Sequence, residues 1–282
     1  MKIIIVSDSN KDNQSIIPYG LHLAKHLEME TDIVHVIDTR DLQGVNSPYA
    51  DSQSIAPGYK MSYEKIIERE KKNNYLKLDK IVSKEGSKLN YPLKINIQIK
   101  ENSLREALAS QKDDFLLLIN SKPDDYVFNS RKEMYETAKE FKCRVMFVRP
   151  GNDFKPVQNA LLVMDYGSLD EMEKLRSILD WLVRFQIKSL NVVDVVKQKD
   201  YAREEMKSKE WEVELERELP RLSIKTNIIT GDDYFEALGT YIEKTKPDIV
   251  LPYKKKKGLL KSSINHKLFN YLLENNMEKV LL

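Results

Sequence analysis

Cysteine is almost missing from this chain: Cys143 is the single one among 282 residues. One thiol excludes an intrachain disulfide and any zinc cluster built on cysteines, so a reducing compartment, the cytoplasm, is the expected location. Long apolar runs are missing as well. The opening MKIIIVSDSNKD meets Ser7 and Asp8 before its apolar run is long enough for a signal-peptide core, and no later stretch approaches about 18 apolar residues. Neither an export signal nor a membrane span is expected. An excess of one charge is the third absence, with 46 Lys and Arg against 44 Asp and Glu, spread evenly over the two halves. A net charge of +2 gives no global field that would gather nucleic acid or an anionic membrane, and neither is expected as a partner.

What the chain does have is alternation. Its length suits two domains, and Arg149-Pro150-Gly151 breaks the pattern near the middle, which gives expected domains of 1–150 and 151–282. In the first half Lys2 to Ser7 reads as a strand buried on both faces, ended by Asp8. Ile17, Leu21, Ala24 and Leu27 share one helical face after it. A second apolar run, Ile33 to Ile37, leads into a long Ser-, Pro-, Gly- and Asn-rich loop over 39–60, and such loops usually cover something or move. The spacing then predicts a helix over about 62–84, a strand over 94–100, a short helix with Leu104, Ala107 and Leu108, and a fully apolar strand over 115–119. Met134, Ala138 and Phe141 mark a fourth helix and Arg144 to Val148 a fifth strand.

The second half repeats the series. Ala160 to Met164 ends in Asp165, as the first strand ends in Asp8, and Asp248-Ile249-Val250-Leu251 mirrors Asp114-Phe115-Leu116-Leu117. Strands separated by helices, with apolar runs too continuous for a half-exposed sheet, define the expected fold class: α/β, two tandem doubly wound domains, each on a five-stranded parallel sheet. Such sheets bind ligands at the carboxyl ends of their strands. The loops to search are therefore those after Asp8 and Asp165, and those over 120–129 and 252–263.

An apolar first strand ending in Asp, five strands per repeat and tandem duplication together resemble the universal stress protein family, over essentially the whole chain. The resemblance implies a Rossmann-like fold and a role in stress response. It also implies an intramolecular pseudo-dimer of the two repeats through residues 143–148 and 279–282. In nucleotide-binding members the Asp after strand one holds the adenosine part, and a glycine-rich loop after strand four, ending in Gly-Ser/Thr, cradles phosphates. Glycine matters there because backbone N–H groups reach phosphate oxygens only where no Cβ intrudes.

This chain departs from that motif. The first repeat's loop, NSKPDDYVFNSRKE, has no glycine, and Asp124 and Asp125 repel phosphate; the second, PYKKKKGLLKSSINHK, keeps Gly258, with Ser262 and Ser263 near the Gly-Ser/Thr position. The run from Lys254 to Lys257 reads either as a solvated loop or as a phosphate-capturing one. Asp165 reads either as a turn or N-cap acceptor or as a ligand-binding carboxylate inherited from the family. His22 and His26, spaced i and i+4, lack a third metal ligand and read as a helix flank. His35 reads as a satisfied strand residue, His266 as a residue of a helix's first turn and Cys143 as packing.

No nucleophile–base pair stands out in the sequence. The expected function is thus a binding or regulatory protein with degenerate nucleotide sites and no turnover. The alternative is an ATP-binding, slowly hydrolysing protein that uses Asp165, Lys254, Lys257, Gly258, Ser262 and Ser263 of the second repeat, with ATP or another nucleotide as its ligand. An adenylyl-transferring or pyrophosphate-cleaving enzyme of related fold is disfavoured, because neither strand-one loop is rich in glycine.

Overall fold

The computed structural model describes residues 2–7, 16–37, 63–89, 94–101, 103–109, 111, 114–122, 128, 130–141, 143–166, 172–253, 262–275 and 277–282. Asp8, the 39–60 loop, Asp124, Asp125, Lys254, Lys257 and Gly258 lie outside them. The chain forms two compact units, residues 1–143 with 150–154, and residues 144–149 with 155–282. Relative to the 150/151 division read from the sequence, the fifth strand joins the second unit and the short segment after it returns to the first.

In the first unit the order is β1 (Lys2–Ser7), α1 (Ile17–Leu27), β2 (Glu30–Ile37), α2 (Tyr63–Leu89), β3 (Ile95–Glu101), α3 (Leu104–Leu108), β4 (Phe115–Asn120) and α4 (Arg131–Glu140). The strands lie in the order β3-β2-β1-β4, all parallel. Ile3, Ile4 and Ile5 of the central strand are wholly buried, which explains the unbroken apolar run: neighbours on both sides and helices on both faces leave no wet side. Each such side chain contributes about 1.5–3 kcal/mol of burial. Gly20 of α1 is where helix meets sheet, since a Cβ there would collide with Ile5 and crowd Leu118. Ser103 caps α3 in a reciprocal capping box with Glu106, and Ser130 caps α4.

The second unit comprises β5 (Arg144–Val148), β6 (Asn159–Met164), α5 (Met172–Arg184), β7 (Ser189–Val196), α6 (Tyr201–Glu218), β8 (Ser223–Thr230), α7 (Tyr234–Thr245), β9 (Ile249–Tyr253), α8 (Ser262–Glu274) and β10 (Lys279–Leu281). Its strands run in the order β5-β10-β9-β6-β7-β8. All pairs are parallel except β5 with β10, which pair antiparallel with Val280 opposite Phe147. The fifth-strand segments named from the sequence are therefore paired with each other, so Val145 to Val148 is not an open apolar edge. Asp248 fixes the amino end of β6 by accepting the N–H groups of Gln158 (2.9 Å) and Asn159 (2.8 Å).

The repeat extends to register. Lys2 faces Glu30 across β1/β2 as Asn159 faces Ser189 across β6/β7, and Thr31 faces Ile95 as Leu190 faces Ile224. Across the fourth strand the match is one residue off the sequence mirror: Ile3 faces Leu116 and Ala160 faces Ile249, so Ile249 stands where Leu116 does and not where Phe115 does. The helix read at about 62–84 runs five residues further, to Leu89, because Leu78, Glu85 and Leu89 continue its buried side.

Lys279 of β10 is a buried charged residue within an apolar strand. It is 2% exposed, and its Nζ lies 3.6 Å from Oε2 of the half-exposed Glu278. Burial lowers the ammonium's pKa, Glu278 and Asp248 oppose that shift, and Lys155 adds to it. An unfolded lysine keeps its proton to higher pH than this folded one. Between the two pKa values unfolding takes up a proton, and stability rises with pH. We expect urea unfolding of wild type and Lys279→Met, compared between pH 7 and 10, to show a wild-type rise of up to about 1.4 kcal/mol per pH unit relative to the variant. Parallel curves would contradict this reading of Lys279.

Candidate functional site

Both sheets reverse their winding beside the first strand of the repeat, between β1 and β4 and between β6 and β9, and the carboxyl ends there form the crevice in which doubly wound sheets bind ligands. In the second unit Met164 pairs with Tyr253, so Asp165, the next residue, stands beside the start of the β9–α8 connection. Asp165 is half-buried. Ser262 and Ser263 open α8, the helix that leaves this same end of the sheet; their side chains, like Lys254, Lys257 and Gly258, are outside the described structure. Among the second-repeat candidates the described structure thus sets Asp165 beside Tyr253, the residue before the 254–261 connection.

Three residues that sequence reasoning passed over surround Asp165. Asp194 is a carboxylate only 4% exposed within the apolar strand β7. Tyr234 opens α7, and its phenol is held far above the ordinary tyrosine value, first by burial and then by the carboxylates of Asp194 and Asp165. Both acids therefore act on one buried hydroxyl. Tyr166, 1% exposed, turns inward from the residue after Asp165. Its hydroxyl donates to the Val192 carbonyl (3.0 Å) and accepts the Asn227 N–H (3.2 Å), bridging β7 and β8. Burial is the main cause that pushes this phenol's pKa upward. A polar letter inside an apolar strand, Asp194, and a tyrosine directly after the strand-one Asp were the available signals.

The chemistry of this corner is divided. Carboxylates accept hydrogen bonds from hydroxyl and amino groups and repel phosphate, so Asp165 suits the sugar or base end of a nucleotide. The Lys254–Lys257 segment, beginning one residue after Tyr253, would supply the opposite charge for a phosphate end.

The first unit's corner is made differently. Ser7, the counterpart of Met164, is 1% exposed and its Oγ has no hydrogen-bond partner among the described residues. His35, the counterpart of Asp194, places Nδ1 3.3 Å from the Ser7 carbonyl oxygen. Burial lowers the imidazole's pKa and Lys77 adds to that, while the Ser7 contact and Glu70 oppose it. His35 is thus a buried and bonded strand residue, as read. Asn120, the counterpart of Tyr253, is buried at the end of β4 and accepts the Lys122 N–H at 2.9 Å.

The other histidines sit away from both corners. His22 and His26 flank the Phe154 ring at centroid distances of 6.1 and 5.7 Å, and His22 Nε2 is 3.9 Å from Glu85. No group of three or more metal-ligating side chains occurs among the described residues. His266 lies past the first turn of α8 and exchanges a 3.2 Å contact with Asn270. Cys143 is half-buried beside β5.

No protein-family model and no curated protein matches this chain. Solved structures do. A universal stress protein from Archaeoglobus fulgidus DSM 4304 superposes with a TM-score of 0.61 over 99% of this chain and 97% of its own, at 9% identity. A functionally unknown protein from Pseudomonas aeruginosa PAO1 gives 0.54 over 99% and 91%, at 12% identity. A protein assigned to the universal stress class from Pseudomonas aeruginosa UCBPP-PA14 gives 0.54 over 99% and 90%, at 11% identity. The chain has the universal stress protein fold, Rossmann-like and mostly parallel. No helix among the described residues is long and apolar enough to cross a membrane.

The Tyr166 bridge yields a test of how this corner is held. Tyr166→Phe removes one hydroxyl and leaves the Val192 carbonyl and the Asn227 N–H without it, so it should cost about 1–3 kcal/mol in urea unfolding. Amide exchange should accelerate at Asn227 more than at Leu161 on the central strand. An unchanged stability would show that the bridge carries no weight.

Proposed function

We propose that this protein is a binding or regulatory member of the universal stress class, which acts in stress response by holding a small molecule at the carboxyl end of its second sheet without turning it over. One observation carries the reading: the β6–β9 register sets Asp165 beside Tyr253, where a basic connection begins. The ligand class that suits a carboxylate facing lysines is a nucleotide, with its sugar or base toward Asp165 and its phosphates toward Lys254, Lys257, Gly258, Ser262 and Ser263. ATP is the first compound to try. Only one glycine stands in that connection, so close backbone approach to phosphate is restricted and affinity is low. The first repeat, with Asp124 and Asp125 in the corresponding loop, stays empty of phosphate ligands.

Calorimetric titration of Mg-ATP into wild type, Asp165→Ala and Asp8→Ala tests this. The expected result is weak binding that Asp165→Ala abolishes and Asp8→Ala leaves intact. Thermal stabilisation at millimolar ATP should stay well below the roughly 2.7 kcal/mol reached at 100 times Kd. Tight binding lost in Asp8→Ala but kept in Asp165→Ala would move the site to the first repeat. Steady phosphate release by wild type that Asp165→Ala abolishes would replace the binding reading with a hydrolytic one.

A further inference from the structure

The outer face of α2 carries a feature that the fold does not require. Lys65, Arg69, Lys72, Lys80 and Lys84 are all exposed and spaced by three, four or eight residues along one side of the helix, with exposed Lys77 beside them. At 1.5 Å per residue the row is about 28 Å long. Leu76 interrupts it near the middle of the helix and is 56% exposed, with Tyr75 next to it at 47%. Among the described residues no ion pair neutralises Arg69, Lys72, Lys80 or Lys84; ion pairs of the helix join Lys71 to Glu101, Lys88 to Glu85 and His22 to Glu85, toward its inner side and its end.

The equivalent helix of the second unit, α6, is a control within the molecule. It packs at the same place in the repeat, but its outward row reads Met206, Lys209, Val213 and Glu216. Its charges close on one another and on neighbours, through Glu204 with Arg203 and Lys207, Glu214 with Arg217, and Glu218 with Arg176. Covering a parallel sheet therefore does not demand a basic outer face. The row on α2 belongs to the first repeat alone.

We propose that this face of α2 is a docking surface for an acidic segment of a partner protein, with Leu76 as the apolar contact at its centre. The charge of the face sets the sign of the partner, because a row of exposed cations is satisfied by carboxylates spaced along a chain. Leu76 separates this partner from the other polyanions. A phosphate backbone would be held by the cations alone and would leave Leu76 uncovered. A membrane would need a broad apolar face, whereas among the described residues Tyr75 and Leu76 are the large apolar side chains of α2 that stand exposed. A protein segment matches both parts: acidic side chains along the row and one apolar side chain packed on Leu76.

Fluorescence anisotropy with a fluorescein-labelled acidic peptide of roughly 20 residues, rich in glutamate and with leucine at every seventh position, tests the surface. Saturable binding at low salt is expected, weakened about tenfold in Lys72→Glu/Lys80→Glu and about threefold in Leu76→Ser. If the charge reversals lower Tm, Lys72→Gln/Lys80→Gln replaces them, with a loss of about threefold expected. Absence of saturable binding, or binding that neither set of substitutions weakens, overturns the proposal. It is equally overturned if single-stranded RNA, or vesicles containing phosphatidylserine, displaces the peptide at lower concentration and Leu76→Ser has no effect.

Discussion

A central parallel strand buried on both faces is the constraint on which the rest depends. Ile3 to Ile5 and Ala160 to Val163 have neighbours on each side and helices above and below, so no ionised group is tolerated along them without a partner. Polar chemistry is thereby driven to the strand ends. At the carboxyl ends the winding reverses and leaves a crevice, and there each repeat carries part of its buried polar set: Ser7, His35 and Asn120 in one, Asp194 and Tyr166 in the other.

Identical register in two sequences this different explains how the repeats diverge without losing the fold. Position matters to the sheet, and side-chain identity at the strand ends does not. Met164 stands where Ser7 does, Asp194 where His35 does, and Tyr253 where Asn120 does. One corner became a mostly neutral hydrogen-bonding row, and the other gained two acids acting on the Tyr234 phenol. The outer helices diverged in the same way, which is why α2 and α6 share a place in the fold but present unlike faces.

The strands and helices were legible because their burial is local: an apolar run or a single helical face needs no knowledge of distant residues. The pairing of residues 144–148 with 279–281 came instead from the resemblance to universal stress proteins, since it joins segments far apart in the chain. Residues whose roles come from partners far along the chain were not legible. Tyr166 meets Val192 and Asn227 across strands, and Asp194 reads as an interruption in β7 until its neighbours are known. Lys279 likewise looks like an ordinary terminal lysine, and only β-pairing buries it. The compact units also divide differently from the sequence, since strand pairing outweighs chain order for β5.

The claim at the centre of this account is that the second sheet's carboxyl end, not the first's, is the ligand-binding corner. Amide chemical shifts recorded during a Mg-ATP titration test it residue by residue. The account predicts progressive shifts at Asp165, Tyr166 and Tyr253, with Ser7, His35 and Asn120 unmoved. Shifts confined to Ser7, His35 and Asn120, with the second corner silent, would contradict it.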